Sequence, residues 1–268
     1  MSKFGRYQTP ESPRALLTAH FHQGGPLRVV DHEPKVAVLD QEDLIAQGID
    51  TSVLIPGAAK VDALGSCTAN ANTEALSNLL DQAHFYAVTG IDHYEDTVGA
   101  EKFAIRFYHA CTDQTGRTSE EWPPTDCGSS GPYIVKENER QNLCGGDVIA
   151  HGAQNIVSLM QSAGCLLGTT WLNAWMEPDA AGFIDGNGSS TTLQAQIKQG
   201  VAGGHELYLS AIEKLALTET GIVIPESTVL RIRNHWTPSW GDHGSARLHL
   251  STIVALGQYI DIRQLQGA

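Results

Sequence analysis

Long hydrophobic runs are missing from this chain of 268 residues. None approaches the roughly 20 consecutive apolar residues that a transmembrane helix needs, so no membrane association is expected. Residues 1–21 also lack an apolar stretch followed by a small-residue cleavage site. The sequence therefore indicates no secretory signal, and a cytoplasmic setting is favoured.

Basic residues are few as well. The chain has 17 Lys and Arg against 30 Asp and Glu, which gives a formal net charge of -13. A nucleic-acid partner is not expected, because phosphate binding needs a cationic surface, and an anionic membrane surface is disfavoured for the same reason. The acidity favours solubility and indicates no more specific function.

The chain has five cysteines, and their spacing is not that of a metal site. An odd number of cysteines argues against a disulfide framework and for a reducing environment. No carboxylate or cysteine spacing accompanies the histidines, so no metal and no other cofactor is expected. Three of the cysteines lie in apolar surroundings without a motif and are expected to be buried small hydrophobes. These are Cys111, Cys144 and Cys165, and the remaining two are Cys67 and Cys127.

The organisation of the chain predicts an α+β fold. Residues 1–35 are polar and form an N-terminal extension, and residues 35–40 alternate as a strand would. Helical periodicity marks residues 66–80, 98–110 and 154–162, and a Pro- and Gly-containing loop covers residues 112–131. After residue 164, short apolar runs are separated by Gly-, Asn- and Ser-rich turns. Residues 36–268 are therefore predicted to form one domain, with a helical lobe over about residues 52–163 and a β-rich lobe over residues 164–268.

Three short motifs contain the candidate chemistry, in the order Cys, His, Asn. A thiol at a helix N-terminus beside an imidazolium is strongly acidified, and Cys67 is predicted to start such a helix. His205 follows two glycines that would allow close approach of ring and substrate. Asn234 carries an amide oxygen that can accept an N–H of His205 and fix the ring. The motifs are Leu64-Gly-Ser-Cys-Thr-Ala-Asn70, Gly203-Gly-His-Glu206 and Arg233-Asn-His-Trp-Thr-Pro-Ser-Trp-Gly-Asp-His-Gly244.

In order and spacing, these motifs resemble those of the papain-like cysteine peptidases, and the first is most similar to the prokaryotic and phage branch. The Cys-to-His separation lies within the ~130–150 positions of that family. The resemblance implies a two-lobed fold with a barrel-like β lobe, a cleft between the lobes, and the triad Cys67, His205 and Asn234. It also implies hydrolysis of peptide bonds in a peptide or protein substrate through a thioester. The residues expected to contact substrate are Gly128, Ser129, Gly204 and Trp236.

The sequence departs from the family pattern at a position that bears on activity. Six residues before the cysteine the family has a glutamine that donates to the oxyanion, whereas this chain has Val61. The serine after the family's asparagine is His235 here. Two alternatives therefore stay open beside the peptidase: an amide hydrolase of peptidoglycan cross-links, and a catalytically silent binding or structural protein. The oligomeric state is not predicted.

Overall fold

The computed structural model describes residues 26–113 and 121–267. The predicted helices are present, and the predicted strand at residues 35–40 is wrong, because the backbone there bonds to scattered segments. Lys35 N–H donates to Ser77 Oγ (3.0 Å) and Ala37 N–H donates to Tyr94 O (3.2 Å). The helices are α1 Thr51–Leu54, α2 Cys67–Leu79, α3 Gln82–Thr89, α4 Thr97–Thr112, α5 Gly131–Arg140, α6 Ala153–Leu159, α7 Ser190–Ile197 and α8 Leu250–Leu256. The strands are β1 Val30–Asp31, β2 Gly146–Ile149, β3 Cys165–Leu172, β4 Val201–Lys214, β5 Val229–Arg233, β6 Ser245–His249 and β7 Ile260–Gln266.

The strands form one mixed-length antiparallel sheet in the order β2-β7-β3-β4-β5-β6, with β1 paired to β4. The strands β2 and β6 lie at opposite ends, and the sheet is open within the described residues. The barrel-like lobe expected from the resemblance is therefore not confirmed. The predicted α+β class is confirmed, because helices and antiparallel strands occupy largely separate parts of the chain.

Two hydrophobic cores lie on the two faces of the sheet. Successive side chains of a strand point to opposite faces, so Leu166 packs into the helical core with α2 and α4, while Leu167 and Leu207 pack into the second core. The second core also contains α6 and α8 residues. Helix α6, which the sequence assigns to the helical lobe, packs into the second core, and the division into two lobes stays a prediction.

Most of the predicted N-terminal extension, residues 1–25, lies outside the described residues. The part that is described joins several elements. In β1, Val30 pairs with Ile212 of β4, and Asp31 forms an ion pair with Arg231 of β5. The side chain of Asn78, on α2, donates to His32 O. Residues 30–35 are thus tied to both cores.

The central helix α2 is buried along most of its length. It packs against β4, β3 and α4, and every residue from Cys67 to Ser77 is buried. Its polar side chains therefore need internal partners. The amides of Asn72 and Asn138 exchange two hydrogen bonds (3.3 and 2.7 Å). Both carboxylate oxygens of Glu74 are buried and have no hydrogen-bond partner among the described residues.

Burial of Glu74 should make stability fall as the pH rises. Desolvation raises the pKa of Glu74 to about 8, above the ordinary value of 4.5, with Arg233 opposing the shift. The folded state therefore binds this proton more tightly than the unfolded chain. The resulting stabilisation is complete below about pH 4.5 and is lost as the pH rises through about 8. Glu74→Gln should raise the free energy of unfolding at pH 8, on the order of a few kcal/mol at most, and flatten its pH dependence.

Urea unfolding at pH 5 and pH 8 would measure this effect. The matched control is Glu219→Gln, which changes an exposed glutamate in the same way. A Glu74→Gln protein that is less stable than wild type at both pH values would contradict the assignment of a destabilising buried carboxylate.

Candidate active site

Cys67 is the first residue of α2, and Ser66 occupies the N-cap. Small and straight-chain residues continue the helix without Gly or Pro. The first-turn N–H groups of a helix have no intrahelical acceptor and carry its positive dipole end. Helix α2 packs against β4, the strand that carries His205. The predicted helix start at Cys67 is confirmed.

The side chains of Ser66 and Asn70, at the start of α2, hydrogen-bond to each other and to α4. Ser66 Oγ donates to Asn70 Oδ1 (2.7 Å), and Asn70 Nδ2 donates to Glu101 Oε2 on α4 (2.6 Å). Burial raises the pKa of Glu101 to about 8, although the Asn70 amide works against that shift. Ser66 and Asn70 are therefore structural supports of the helix start and already have other partners.

His205 and Asn234 meet as the sequence predicts. His205 lies in β4, and its Nε2 is 2.9 Å from Asn234 Oδ1 in a buried contact. Since an amide oxygen only accepts, Nε2 carries the proton and Nδ1 is the nitrogen left to exchange a proton with a thiol. The Asn234 N–H in turn donates to Gly244 O (2.8 Å). Gly244 has φ +83, and a Cβ there would meet Val38, which accounts for the glycine that closes the motif.

Indole rings surround the His205–Asn234 hydrogen bond. The Trp236 ring lies 5.1 Å from the His205 ring, and Trp171 approaches it edge-on at the same distance. Trp240 packs on both indoles and donates Nε1–H to Met176 O. Removing water in this way strengthens a hydrogen bond. Trp171 was not predicted from the sequence, because it lies outside the three motifs.

His235 and Gln41 extend the polar network and were also not predicted as site residues. His235 Nδ1 contacts Gln41 Oε1, and His235 Nε2 lies 2.9 Å from Glu206 O. The rings of His235 and His205 are 5.3 Å apart. Burial first, and His205 second, hold the pKa of His235 well below its usual range, so His235 is neutral.

The four residues predicted to contact substrate lie in two places, two beside or against His205 and two in a loop near the start of α2. Gly204 is half-buried beside His205, and Trp236 is buried against it. Gly128 and Ser129 are both buried, with Gly128 at φ +76. Their loop is joined to the Cys67 segment by Asp126, which accepts from Gly65 N–H (2.9 Å). These contacts place the loop near the helix start, while the substrate role of all four residues stays a prediction.

Val61 is half-buried and packs against the helical core. Its backbone N–H donates to Thr51 Oγ1 (3.2 Å). A valine side chain offers no hydrogen-bond donor, so the side chain at this position contributes only packing.

Three of the other four cysteines are poor nucleophiles because of their surroundings. Cys111, Cys144 and Cys165 are buried, as predicted. Desolvation raises the pKa of Cys165 to about 12 and also raises the pKa of Cys111 and Cys144. Cys127 is partly accessible and contacts Gly128 O. All five cysteines are free thiols.

Residues 26–113 and 121–267 contain neither a metal-binding cluster nor a membrane-spanning helix. No group of three or more His, Cys, Asp or Glu side chains is arranged to hold a metal ion there. Within the same ranges no helix is both long and apolar enough to cross a membrane.

Comparison with known proteins shows the fold. No family model matches the chain, and no curated protein matches it. Among solved structures, xylellain, a cysteine protease from Xylella fastidiosa, matches over 100% of this chain and 97% of its own, with a TM-score of 0.50 and 16% identity. The chain has a papain-like fold.

Weaker likenesses are to a procathepsin B from Trypanosoma congolense and to bromelain from Ananas comosus. The TM-scores are 0.45 and 0.42, and the identities are 10% and 14%. The matches cover 99% and 91% of this chain and 87% and 100% of the others, in the same order.

Proposed function

We propose that the chain is a cysteine peptidase that hydrolyses peptide bonds of a peptide or protein substrate. The observation that supports this most is the buried hydrogen bond from His205 Nε2 to Asn234 Oδ1, enclosed by indole rings. His205 lies on strand β4, which packs against α2, the helix that begins at Cys67. A nucleophile at a helix N-terminus, a base and a group that orients the base are the parts that thiol catalysis requires.

The proposed reaction has two halves. The Cys67 thiolate attacks the carbonyl carbon of the scissile bond, and the imidazolium of His205 gives its Nδ1 proton to the leaving amine. A thioester to Cys67 and a neutral His205 result. A water molecule then gives a proton to Nδ1 and attacks the thioester, which releases the carboxylic acid and restores the thiolate.

Asn234 supports both halves without taking the proton. Because its oxygen accepts from Nε2–H in either charge state of the ring, the ring keeps one orientation and one tautomer throughout. The neutral state of His235 fits this scheme, because a second cation beside His205 would oppose its protonation.

A silent binding protein is the second candidate, and Val61 is the observation that favours it. Without a side-chain donor at this position, the negative charge that develops on the carbonyl oxygen has one stabilising group fewer. A chain that keeps the fold and the cysteine but lacks turnover would fit this reading.

Labelling with an epoxysuccinyl thiol-protease inhibitor, together with turnover assays, tests the proposal. Mass mapping should find the label on Cys67 and leave Cys111, Cys127, Cys144 and Cys165 unmodified, because burial disfavours the thiolate of three of them. Turnover of unstructured protein would support the peptidase. Turnover only of cross-linked muropeptides would indicate a wall amide hydrolase, and labelling without any turnover would indicate the silent protein.

A further inference from the structure

The loop over residues 234–244, which joins β5 to β6, carries Asn234 and two of the indoles that enclose its hydrogen bond. Trp236 packs on the His205 ring, and Trp240 packs on Trp236. The loop consists of turns and irregular backbone, without a helix or strand of its own. The position of the Asn234 oxygen, and with it the orientation of the His205 ring, therefore depends on what fixes the two ends of this loop.

One side chain, that of Arg233, contacts the loop from the strand that leads into it. Arg233 is the last residue of β5 and is 8% exposed. Its Nη1 donates to His243 O (2.9 Å), near the end of the loop, and to Ser245 Oγ (2.8 Å), at the start of β6. The guanidinium thus connects the strand that enters the loop to the strand that leaves it. The His243 contact uses the backbone carbonyl, because the His243 side chain is 95% exposed.

Backbone pairing closes the loop at the same point. Arg233 and Ser245 are partners in the antiparallel pairing of β5 with β6, and Asn234 N–H donates to Gly244 O (2.8 Å). These two steps are the last ones before the chain leaves regular structure. The Arg233 side chain therefore reinforces the end of the strand pair directly beside Asn234.

Carboxyl groups hold the Arg233 guanidinium in place. Glu33 Oε1 lies 3.0 Å from Nη1. Glu74, on α2, lies close enough for the charge of Arg233 to oppose the rise in the pKa of Glu74. A buried guanidinium needs such partners, and its hydrogen bonds are stronger than those of neutral donors. The side chain is consequently fixed between α2, the segment after β1 and the loop.

Arg231 provides an internal comparison on the same strand. Two residues before Arg233, it lies on the same face of β5, because side chains alternate along a strand. Its guanidinium forms ion pairs with Asp31, Glu33 and Glu213. All three partners lie outside the loop, on β1, after β1 and on β4. The two arginines therefore share their chemistry and their face of the sheet and differ in their contact with the loop.

We propose that Arg233 is a positioning residue that fixes both ends of the loop over residues 234–244 and thereby sets the place of Asn234 and the orientation of the His205 ring. The inference rests on the proposed peptidase function, since it assigns a role within that site. Arg233 takes no part in bond making. It acts on Asn234 through the backbone of His243 and the hydroxyl of Ser245.

Loss of the Arg233 guanidinium should lower kcat much more than it changes KM. A misplacement of about 1 Å at a reacting centre costs about 100-fold in rate, so Arg233→Met should lower kcat by about 10- to 100-fold. Arg233→Lys keeps the charge and offers three donors on a single nitrogen, so it should retain more of kcat than Arg233→Met. Ser245→Ala removes one acceptor and should give a smaller loss, which keeps the test open if Arg233→Met does not fold.

The matched control is Arg231→Met, the same substitution on the same face of β5. It removes ion pairs but no contact with the loop, so kcat and KM should stay at the wild-type values. Urea unfolding of both variants measures the stability that each loses. A loss of stability is expected in both, whereas only Arg233→Met should lose kcat.

Exchange of the His205 Nε2 proton with water is the second readout, measured by NMR on protein labelled with 15N-histidine and assigned with His205→Ala. Asn234 and the indole rings should make this exchange slow in the wild type, and Arg233→Met should speed it by about 10-fold, the value of about one hydrogen bond. This readout requires no turnover. An inactive wild type whose proton loses protection only in Arg233→Met would reject the proposed function and keep this inference.

Three results would overturn the role of Arg233. The first is a folded Arg233→Met protein with wild-type kcat and unchanged exchange. The second is a fall in kcat with unchanged exchange, because the His205 ring would then still be held. The third is an equal loss of kcat or of protection in Arg231→Met, which would show that the effect follows the stability of the sheet and not the contact with the loop.

Discussion

Replacing Cys67 by alanine should lower kcat/KM on a fluorogenic peptide by at least about 10⁴-fold. The thiolate forms the covalent intermediate, and no neighbouring side chain can take its place: Ser66 Oγ is committed to Asn70. His205→Ala should cost about as much, because a thiol without its base is mostly protonated at neutral pH. Groups that act as one unit are not additive, so the double variant should be no slower than Cys67→Ala.

The matched controls are Cys127→Ala and His243→Ala. Cys127 is the most accessible of the other thiols, and the His243 side chain is 95% exposed. Both should retain wild-type kcat/KM. If Cys127→Ala abolishes turnover and Cys67→Ala does not, Cys67 is not the nucleophile and the proposed function fails with it.

The local parts of the fold and site could be predicted from the sequence. Helix α2 follows from apolar periodicity and an N-cap serine, and the contact between His205 and Asn234 follows from motif order. Both depend on features within a few neighbouring residues or on a recognisable motif. The strands β3 to β6 similarly follow from short apolar runs between turn residues.

Long-range contacts could not be predicted in this way. The backbone N–H of Gln41 bonds to His235, 194 residues away in the chain, and nothing in the sequence around Gln41 marks it. The segment at residues 35–40 alternates like a strand, but its backbone N–H groups donate to Ser77 and Tyr94 on separate segments. An alternating sequence indicates that every second side chain is buried. An irregular segment packed between two surfaces can show the same pattern as a strand.

The buried carboxyls of Glu74 and Glu101 show the same limit. Each lies on a helix that the sequence predicts, yet helical periodicity would place such residues on a solvated face. They are buried because α2 is enclosed by β3, β4 and α4 at once. Only the tertiary arrangement reveals that their protonation contributes to stability.

Val61→Gln is the substitution expected to raise activity most. A side-chain donor to the oxyanion is worth about 10²–10³-fold in rate, or ~2.7–4 kcal/mol, and Val61 supplies none. Nearby, the side chains of Ser66 and Asn70 are committed to the chain of hydrogen bonds that ends at Glu101, and the Gln41 amide donates to Leu64 O. Stabilisation of the oxyanion in the wild type therefore depends on backbone N–H groups at the very start of α2. If the glutamine side chain reaches the same point, kcat/KM should rise by up to that factor.

The control for this gain is Val53→Gln, which makes the same change at a residue that is 81% exposed. It should leave kcat/KM unchanged, and Cys67→Ala in the Val61→Gln background should remove any gain, because the donor acts only on charge that the thiolate attack creates. A rate that stays constant or falls in Val61→Gln, with the fold intact, would mean that another group already fills the oxyanion position.

A different result would count against the peptidase itself. If wild type, Val61→Gln and Cys67→Ala all give the same rate as buffer alone across a broad peptide panel, the missing donor is not what limits turnover. The chain would then keep Cys67, His205 and Asn234 without turning over any peptide. That result would favour the silent binding protein over the peptidase.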